Sequence, residues 1–292
     1  MCGITAYVGH GEALPFLMQG LARLEYRGYD SAGVTILNEK LTTVKRKGRL
    51  ANLEEELKNY DMTGHVGIGH TRWATHGVPS NLNSHPHTNA KNTLSIVHNG
   101  IIENYKELKE ILLSKGYTFQ SETDSEVVVQ ALDYFYDGDL MEAMKKVLNC
   151  IDGSYALCAI STHEPDRIVV AKKDSPLVIG KTKEGYVAAS DTPALLAYTK
   201  DVYFLEDNEL ALLTADSCDF YSRTGESVTK ELTTIPYDLE AAQKNGYDTY
   251  MLKEINEQPH VINETLRGRL DGHTVTLPKL DGIDFKNFNK VY

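Results

Sequence analysis

The chain has 292 residues, 41% of them hydrophobic and 24% charged, which is enough apolar material for one large core or two smaller ones. Its 30 basic and 41 acidic side chains leave a net charge of −11, which argues against a surface built for nucleic acid or an anionic membrane. No apolar run approaches the roughly 20 residues of a membrane span, and the start lacks the basic-then-apolar pattern of a secretory signal. The four cysteines, Cys2, Cys150, Cys158 and Cys218, are scattered and form no CxxC pair. That spacing leads us to expect reduced thiols and a cytoplasmic protein.

Taken in chain order, Cys2–Val8 reads as a buried strand, and Ala13–Leu24 as a helix with apolar residues at helical spacing. Strands fit Ala32–Leu37 and Leu41–Lys45, with a charged helix around Leu53–Leu57. Two apolar runs, Val66–His70 and Leu94–His98, are predicted strands that end directly in polar clusters. Helices fit Glu103–Ser114, Ser125–Tyr136 and Leu140–Asn149. A series of short strands follows: Tyr155–Ser161, Arg167–Lys172, Leu177–Ile179, Tyr186–Ala189, Val202–Leu205, Leu210–Thr214 and Asp219–Ser222. Strand-rich stretches interrupted by paired helices predict an α+β layering of two packed sheets covered by helices. We divide the chain into 2–236 and a tail at 237–292. The tail has a polar connector at Tyr237–Gly246 and a charged helical stretch, Met251–Arg269, which Pro259 should kink or split. It ends in two Leu-Asp-Gly turns and a strand start at Asn289–Tyr292.

Cys2 is the first chemically informative residue. With Met1 removed it carries both a thiol and a free α-amine. A thiol attacks as the thiolate, and an amine titrating at about 7.7–8.0 can accept its proton near neutral pH. Cys158 lies in a strand-like run and reads as core, and Cys150 and Cys218 read as structural too.

Four polar clusters accompany Cys2: Glu25–Gly33, Gly69–Gly77, Asn83–His87 and His98–Gly100, with Glu122-Thr-Asp124 beyond them. Five of the ten histidines (His70, His76, His85, His87, His98) fall between positions 70 and 98. No cysteine or HExxH-type spacing supports zinc there, so the imidazoles read as partners of loop backbone and no metal is expected. His98-Asn-Gly100 fits either a tight hairpin turn or an oxyanion hole, with the Asn99 amide and the Gly100 N–H as donors. Arg72 can grip a carboxylate through its planar fork, or serve in a structural ion pair. Asp124 precedes a helix and could cap it, with Thr123 and Glu126 fitting a capping box. Alternatively Asp124 could hold the α-ammonium of an amino acid whose carboxylate Arg72 takes.

Taken together, Cys2-Gly-Ile4, Leu24–Gly33, His70–Gly77, Asn83–His87 and His98–Asn104 closely resemble the glutaminase (class II glutamine amidotransferase) domains of the glutamine–fructose-6-phosphate aminotransferases. Gly116–Asp124, Ser175–Gly180 and Met251–Pro259 carry the likeness further, to about Gly268. Purine-pathway amidotransferases are similar at the Cys start and the Asn-Gly pair, and remain the alternative within the same reaction class. Thr5-Ala-Tyr7 departs from the Val-Gly-Tyr usual after Cys-Gly-Ile.

The resemblance implies a four-layer αββα sandwich of the N-terminal-nucleophile hydrolase type, needing no cofactor. Its reaction would be hydrolysis of L-glutamine to L-glutamate and ammonia through a γ-glutamyl thioester. By the same resemblance Cys2 is the nucleophile, and Asn99 and Gly100 form the oxyanion hole. Arg72, Thr75, His76, Gly100 and Asp124 contact glutamine, Trp73 gates the ammonia route, and Arg27 lies near the thiol. Family members continue into sugar-isomerase domains that receive the ammonia, and the full-length enzyme is expected to be a homo-oligomer. None of that part is in this sequence, so we expect a fragment that does not make glucosamine 6-phosphate by itself. The competing expectations are a catalytically silent glutamine-binding module and an N-terminal-nucleophile peptidase or acylase. The latter leaves the Arg72/Asp124 pair without a job.

Overall fold

The computed structural model describes residues 2–236, 247–267, 269–271 and 274–275. The chain divides into two compact units, Met1–Leu239 and Glu240–Tyr292. Among the described residues no helix is long and apolar enough to cross a membrane.

The first unit opens with strand β1 (Gly3–Gly9), helix α1 (Ala13–Leu24), β2 (Ser31–Leu37), β3 (Leu41–Lys47), α2 (Leu50–Leu57) and β4 (Val66–Arg72). It continues through β5 (His87–Thr88), β6 (Leu94–Ile102) and helices α3 (Tyr105–Ser114), α4 (Glu126–Phe135) and α5 (Leu140–Leu148). Strands β7 (Gly153–Ser161), β8 (Glu164–Lys173), β9 (Val178–Lys181), β10 (Gly185–Ala189) and β11 (Asp201–Phe204) come next. β12 (Glu209–Thr214), β13 (Cys218–Ser222), β14 (Ser227–Val228) and β15 (Thr233–Thr234) complete it. One eight-stranded sheet runs β15-β11-β9-β10-β1-β4-β2-β3, and a seven-stranded sheet runs β14-β13-β12-β8-β7-β6-β5. All strand pairs of both sheets are antiparallel.

Two cores explain the layering. Ile4, Ala6, Val8 and Ile68 from the first sheet meet Val97, Ala156, Cys158, Ile160 and Val170 from the second, filling the space between the sheets. Strands buried on both faces should be continuously apolar rather than alternating, and β1 is buried at all seven positions. On the far side of the second sheet, Leu94, Ile96, Leu157 and Val169 pack against Val128, Leu132, Met144 and Leu148 of α4 and α5. Helix α1 buries Ala13, Phe16, Leu17, Gly20, Leu21 and Leu24, a stripe at helical spacing. Each fully buried leucine or phenylalanine there contributes about 1.5–3 kcal/mol. The result is the helix–sheet–sheet–helix sandwich of the N-terminal-nucleophile hydrolases. Cys158 sits at the centre of the inter-sheet core, and burial pushes its thiol far up.

Several sequence expectations are corrected. The strand expected to stop at His98 runs on to Ile102, so Asn99-Gly100 is inside β6 and forms no hairpin turn. The capping box is absent: Ser125 is the N-cap of α4 and makes no side-chain cap bond. Glu126 instead accepts from the backbone N–H groups of Gln120 (2.9 Å) and Ser121 (2.6 Å), satisfying the turn ahead of the helix.

In the second unit, helix α6 (Tyr250–Leu266) runs unbroken through Pro259, so no second helix starts there. The proline ring removes the N–H that would bond the Ile255 carbonyl. Ile255 is exposed, so water can serve that oxygen. Thr249 caps the helix by accepting from the Leu252 N–H at 3.1 Å. Leu270–Asp271 pairs antiparallel with Thr274–Val275 as a short ladder. The connector Tyr237–Gly246, the second Leu-Asp-Gly and Asn289–Tyr292 lie outside the described residues.

Candidate active site

β1 and β4 are neighbours in register Gly3↔Thr71 and Ile4↔His70, so the start of one strand lies beside the end of the other. Cys2 is therefore set next to Arg72 and Trp73. The Trp73 N–H donates to Cys2 Sγ at 3.2 Å. Gly3 is required at this junction. A Cβ there would lie 2.6 Å from Thr71 Oγ1 and 2.7 Å from Leu24 Cβ.

The opposing sheet supplies the other wall. Asn99 and Gly100 come from β6, and the Asn99 Nδ2 donates to the Cys2 carbonyl at 3.1 Å, tying the two sheets at the site. Gly100 has φ +125°, and a Cβ would fall 2.1 Å from the Ser154 carbonyl oxygen. We expect Gly100→Ala to cost about 1–3 kcal/mol for the conformation alone, with the overlap in addition, and urea unfolding measures it. Stability within 0.5 kcal/mol of wild type (about the spread of neutral surface changes) would refute that requirement.

A cavity of about 290 Å³ opens between these walls. Cys2, Arg27, Arg72, Trp73, Thr75, Asn99, Gly100 and Asp124 all line it. Eight of the nine expected residues thus converge: Cys2 from just before β1, Arg27 from the turn after α1, Arg72 at the end of β4 with Trp73 and Thr75 just beyond it, Asn99 and Gly100 from β6, and Asp124 from the segment between α3 and α4. The exception is His76, which does not line the cavity. Its Nδ1 stands 3.9 Å from Asp124 Oδ1, and its ring meets Tyr105 edge-on. Its backbone matters more directly, since the His76 carbonyl accepts from Arg72 Nη2.

Arg72 is buried, and Nη2 also donates to the Gly77 carbonyl at 3.2 Å. Its Nη1 is buried without a hydrogen-bond partner among the described residues. An unsatisfied buried donor costs about 1–3 kcal/mol, and more when charged, so Arg72, which lines the cavity, keeps a donor without an acceptor. Burial lowers the guanidinium, and the negative ends of Asp30, Cys2 and Asp124 counter that. Asp124 is buried too. It accepts from the Ile102 N–H at 2.8 Å, which overturns the helix-capping expectation, and its carboxylate lines the same cavity as Arg72. A cation and a carboxylate lining one pocket suit the two charged ends of an α-amino acid.

Burial pushes the Cys2 thiol up, and the Trp73 N–H and nearby Arg72 only partly offset this. The resting group at neutral pH is therefore the thiol, and attack requires a base at that moment. Arg27 is anchored to the Asp191 carboxylate at 2.8 Å and to the Ser190 carbonyl at 3.3 Å. Trp73 is 47% exposed at the rim and packs edge-on against Tyr29, 5.3 Å between centroids.

Sequence reasoning did not assign His85, His98, Ser125, Ser154, Ser175 and Pro176 to the cavity lining. Ser154 had a usable signal in the pairing Ile101↔Ser154, but only with strand register known. The buried histidines form a stacked cluster: His70 and His85 lie 4.2 Å apart and nearly parallel, and His87 meets His85 edge-on at 4.5 Å. They bond His98 O, Thr123 and Ser125 hydroxyls and Ser154 O. Among the described residues no group of His, Cys, Asp or Glu is arranged to hold a metal ion.

Comparison with known proteins agrees with this geometry. Residues 70–197 match the glutamine amidotransferase domain family. The chain is 51% identical over 293 aligned positions to the glutamine–fructose-6-phosphate aminotransferase [isomerizing] of Clostridium acetobutylicum, covering 97% of this chain and 48% of that protein. It is 52% identical to the enzyme of the same name from Caldanaerobacter subterraneus, again covering 97% and 48%. The chain thus spans about half the length of the curated relatives it matches. Among solved structures, glutamine phosphoribosylpyrophosphate amidotransferase from B. subtilis superposes with a TM-score of 0.67 at 27% identity, over 76% of this chain and 49% of that one. A glutamine aminotransferase class-II domain protein from Silicibacter pomeroyi shares the fold, with a TM-score of 0.53 at 15% identity over 76% of this chain and 99% of that one.

Proposed function

Since the chain belongs to the class II glutamine amidotransferases, we propose that its Cys2 thiol hydrolyses L-glutamine to L-glutamate and ammonia. The observation that carries this reading is the meeting, in one cavity, of Cys2, Asn99, Gly100, Arg72 and Asp124. The Arg72 guanidinium takes the α-carboxylate and Asp124 the α-ammonium, leaving the γ-amide beside Sγ. The α-amine of Cys2, freed by removal of Met1, accepts the thiol proton, and sulfur bonds to the amide carbon. The resulting oxyanion is held by Asn99 Nδ2 and the Gly100 N–H, donors worth about 10²–10³ in rate. The protonated amine passes its proton to the leaving nitrogen, which departs as ammonia. Water, deprotonated by the same amine, then cleaves the thioester to glutamate.

We assign this chemistry to residues 2–236, with Trp73 gating the ammonia and Arg27 supporting the thiol's surroundings. Residues 237–292 lead toward the remainder of the longer proteins. In a full-length, homo-oligomeric enzyme of the relatives' kind, a cytoplasmic setting and a sugar-isomerase partner would turn the ammonia to the conversion of fructose 6-phosphate to glucosamine 6-phosphate.

The direct test is ammonia release from L-glutamine by the Met1-free chain, and a rate no higher than the uncatalysed background would reject the reading. Asp124→Asn keeps an acceptor for Ile102 but loses the charge, so we expect glutamine binding to weaken by roughly 1.5–3 kcal/mol, or about 10- to 150-fold. Isothermal titration on a Cys2→Ala background measures it. Unchanged affinity would remove Asp124 from the substrate site.

A further inference from the structure

We propose that His70 is a positioning residue: as its Nε2–H tautomer it dictates which end of the Asn99 amide faces Cys2. The inference rests on the reading of Asn99 as an oxyanion donor. An amide side chain has nearly the same shape either way round, so its hydrogen-bond partners decide its orientation. His70 Nε2 lies 3.1 Å from the His98 carbonyl oxygen and 2.9 Å from the nearer end of the Asn99 amide. A backbone carbonyl can only accept, so Nε2 must carry a hydrogen. The Asn99 atom facing that hydrogen must then be the oxygen. The NH2 end is left to face Cys2, where one hydrogen meets the Cys2 carbonyl at 3.1 Å. Its second hydrogen remains for an oxyanion in the cavity that Asn99 lines.

Two further observations hold His70 in this state. Its Nδ1 is buried with no hydrogen-bond partner among the described residues, which suits a bare ring nitrogen and would strand a proton placed there. Burial, aided by the nearby Arg72 and His98, brings the imidazole down to about 3, although its bonds to Asn99 and the His98 carbonyl pull the other way. It is therefore neutral at working pH. The ring cannot turn freely either, being stacked on His85, whose Nδ1 in turn accepts the His98 N–H at 3.3 Å. A reversed amide would present its oxygen to the developing negative charge and convert a donor into a repulsive group.

Two measurements test this. Long-range ¹H–¹⁵N spectra of the wild-type imidazoles should show His70 as the Nε2–H tautomer, without titration between pH 6 and 8. An Nδ1–H tautomer or an imidazolium in that range would overturn the proposal. His70→Phe keeps a ring on His85 but removes the N–H. We expect kcat for glutamine to fall by about 10- to 100-fold, reaching at most the lower end of the roughly 10²–10³ cost of losing one oxyanion donor outright, with KM changed less than about twofold. Adding Asn99→Ala should deepen the loss no further than Asn99→Ala alone, since both act through one donor. Losses that multiply, or that appear in KM, would assign His70 a purely structural role. Should the Phe variant not fold, the tautomer spectrum decides. A wild-type chain that releases no ammonia would reject the glutaminase reading, while the spectrum still judges His70.

Discussion

Cys2→Ala should release no ammonia from glutamine above background, and leaving Met1 in place should cost about 10²–10⁴ in rate. Both follow from one residue holding nucleophile and base. The thiol is driven toward its protonated form by burial, so without a base the thiolate is scarce. Retained Met1 turns the base into an amide. The structure offers one competitor: Ser125 Oγ lies 2.8 Å from His98 Nδ1, and both line the cavity. A hydroxyl beside an imidazole is the arrangement of an activated serine. Activity that survives Cys2→Ala would move the nucleophile to Ser125. Activity unaffected by retained Met1, shown on intact chain by mass spectrometry, would make His98 or His76 the base. The Ala variant should stay folded, because only a partly buried thiol is lost at a strand edge.

The second large effect is on stability in acid. His70, His85 and His87 are buried and neutral, lowered chiefly by burial; His70 comes down to about 3, and His85 and His87 lie well below their ordinary value. In the unfolded chain each takes up a proton at about 6.5. Below that pH the unfolded state binds protons that the folded state refuses, so stability is complete above about 6.5 and is lost as pH falls toward 3. Each such histidine costs about 1.4 kcal/mol per pH unit in that window. Three such groups acting together make the loss a sizeable part of the stability of an ordinary domain, about 5–15 kcal/mol. Thermal unfolding followed by circular dichroism should show the melting temperature falling steeply between pH 6.5 and 5. That range lies above the ordinary titration of carboxylates, so they do not account for the fall. A melting temperature flat across that interval would mean the cluster takes up protons while folded.

Much of the fold was legible because burial leaves a periodic trace. The stripe from Ala13 to Leu24 and the continuous apolar run of β1 were read as elements close to their observed limits. What failed were places where a partner distant in sequence outvotes a local preference. Asn-Gly favours a turn, yet the pairing of β6 with β7 extends the strand through both residues. Thr123–Glu126 has the spacing of a capping box, yet Glu126 is claimed by Ser121. Asp124 stands where a cap belongs, yet Ile102, 22 residues earlier in the chain, takes its carboxylate.

The site divides along the same line. Residue types alone determined the chemistry on offer: a thiol that can share its residue with an amine, a planar guanidinium, a carboxylate, an amide beside a glycine. These capacities belong to the side chains wherever they stand. Only the tertiary structure decided which of them meet. The register of β1 on β4 sets Cys2 beside Arg72, and the packing of two sheets brings Asn99 to the Cys2 carbonyl. His76, attractive in sequence, does not line the cavity, while His70, hidden in a strand, reaches Asn99. Tautomer, amide orientation and the unpaired nitrogen of Arg72 are likewise settled by neighbours, because hydrogen bonds and burial depend on distance in space.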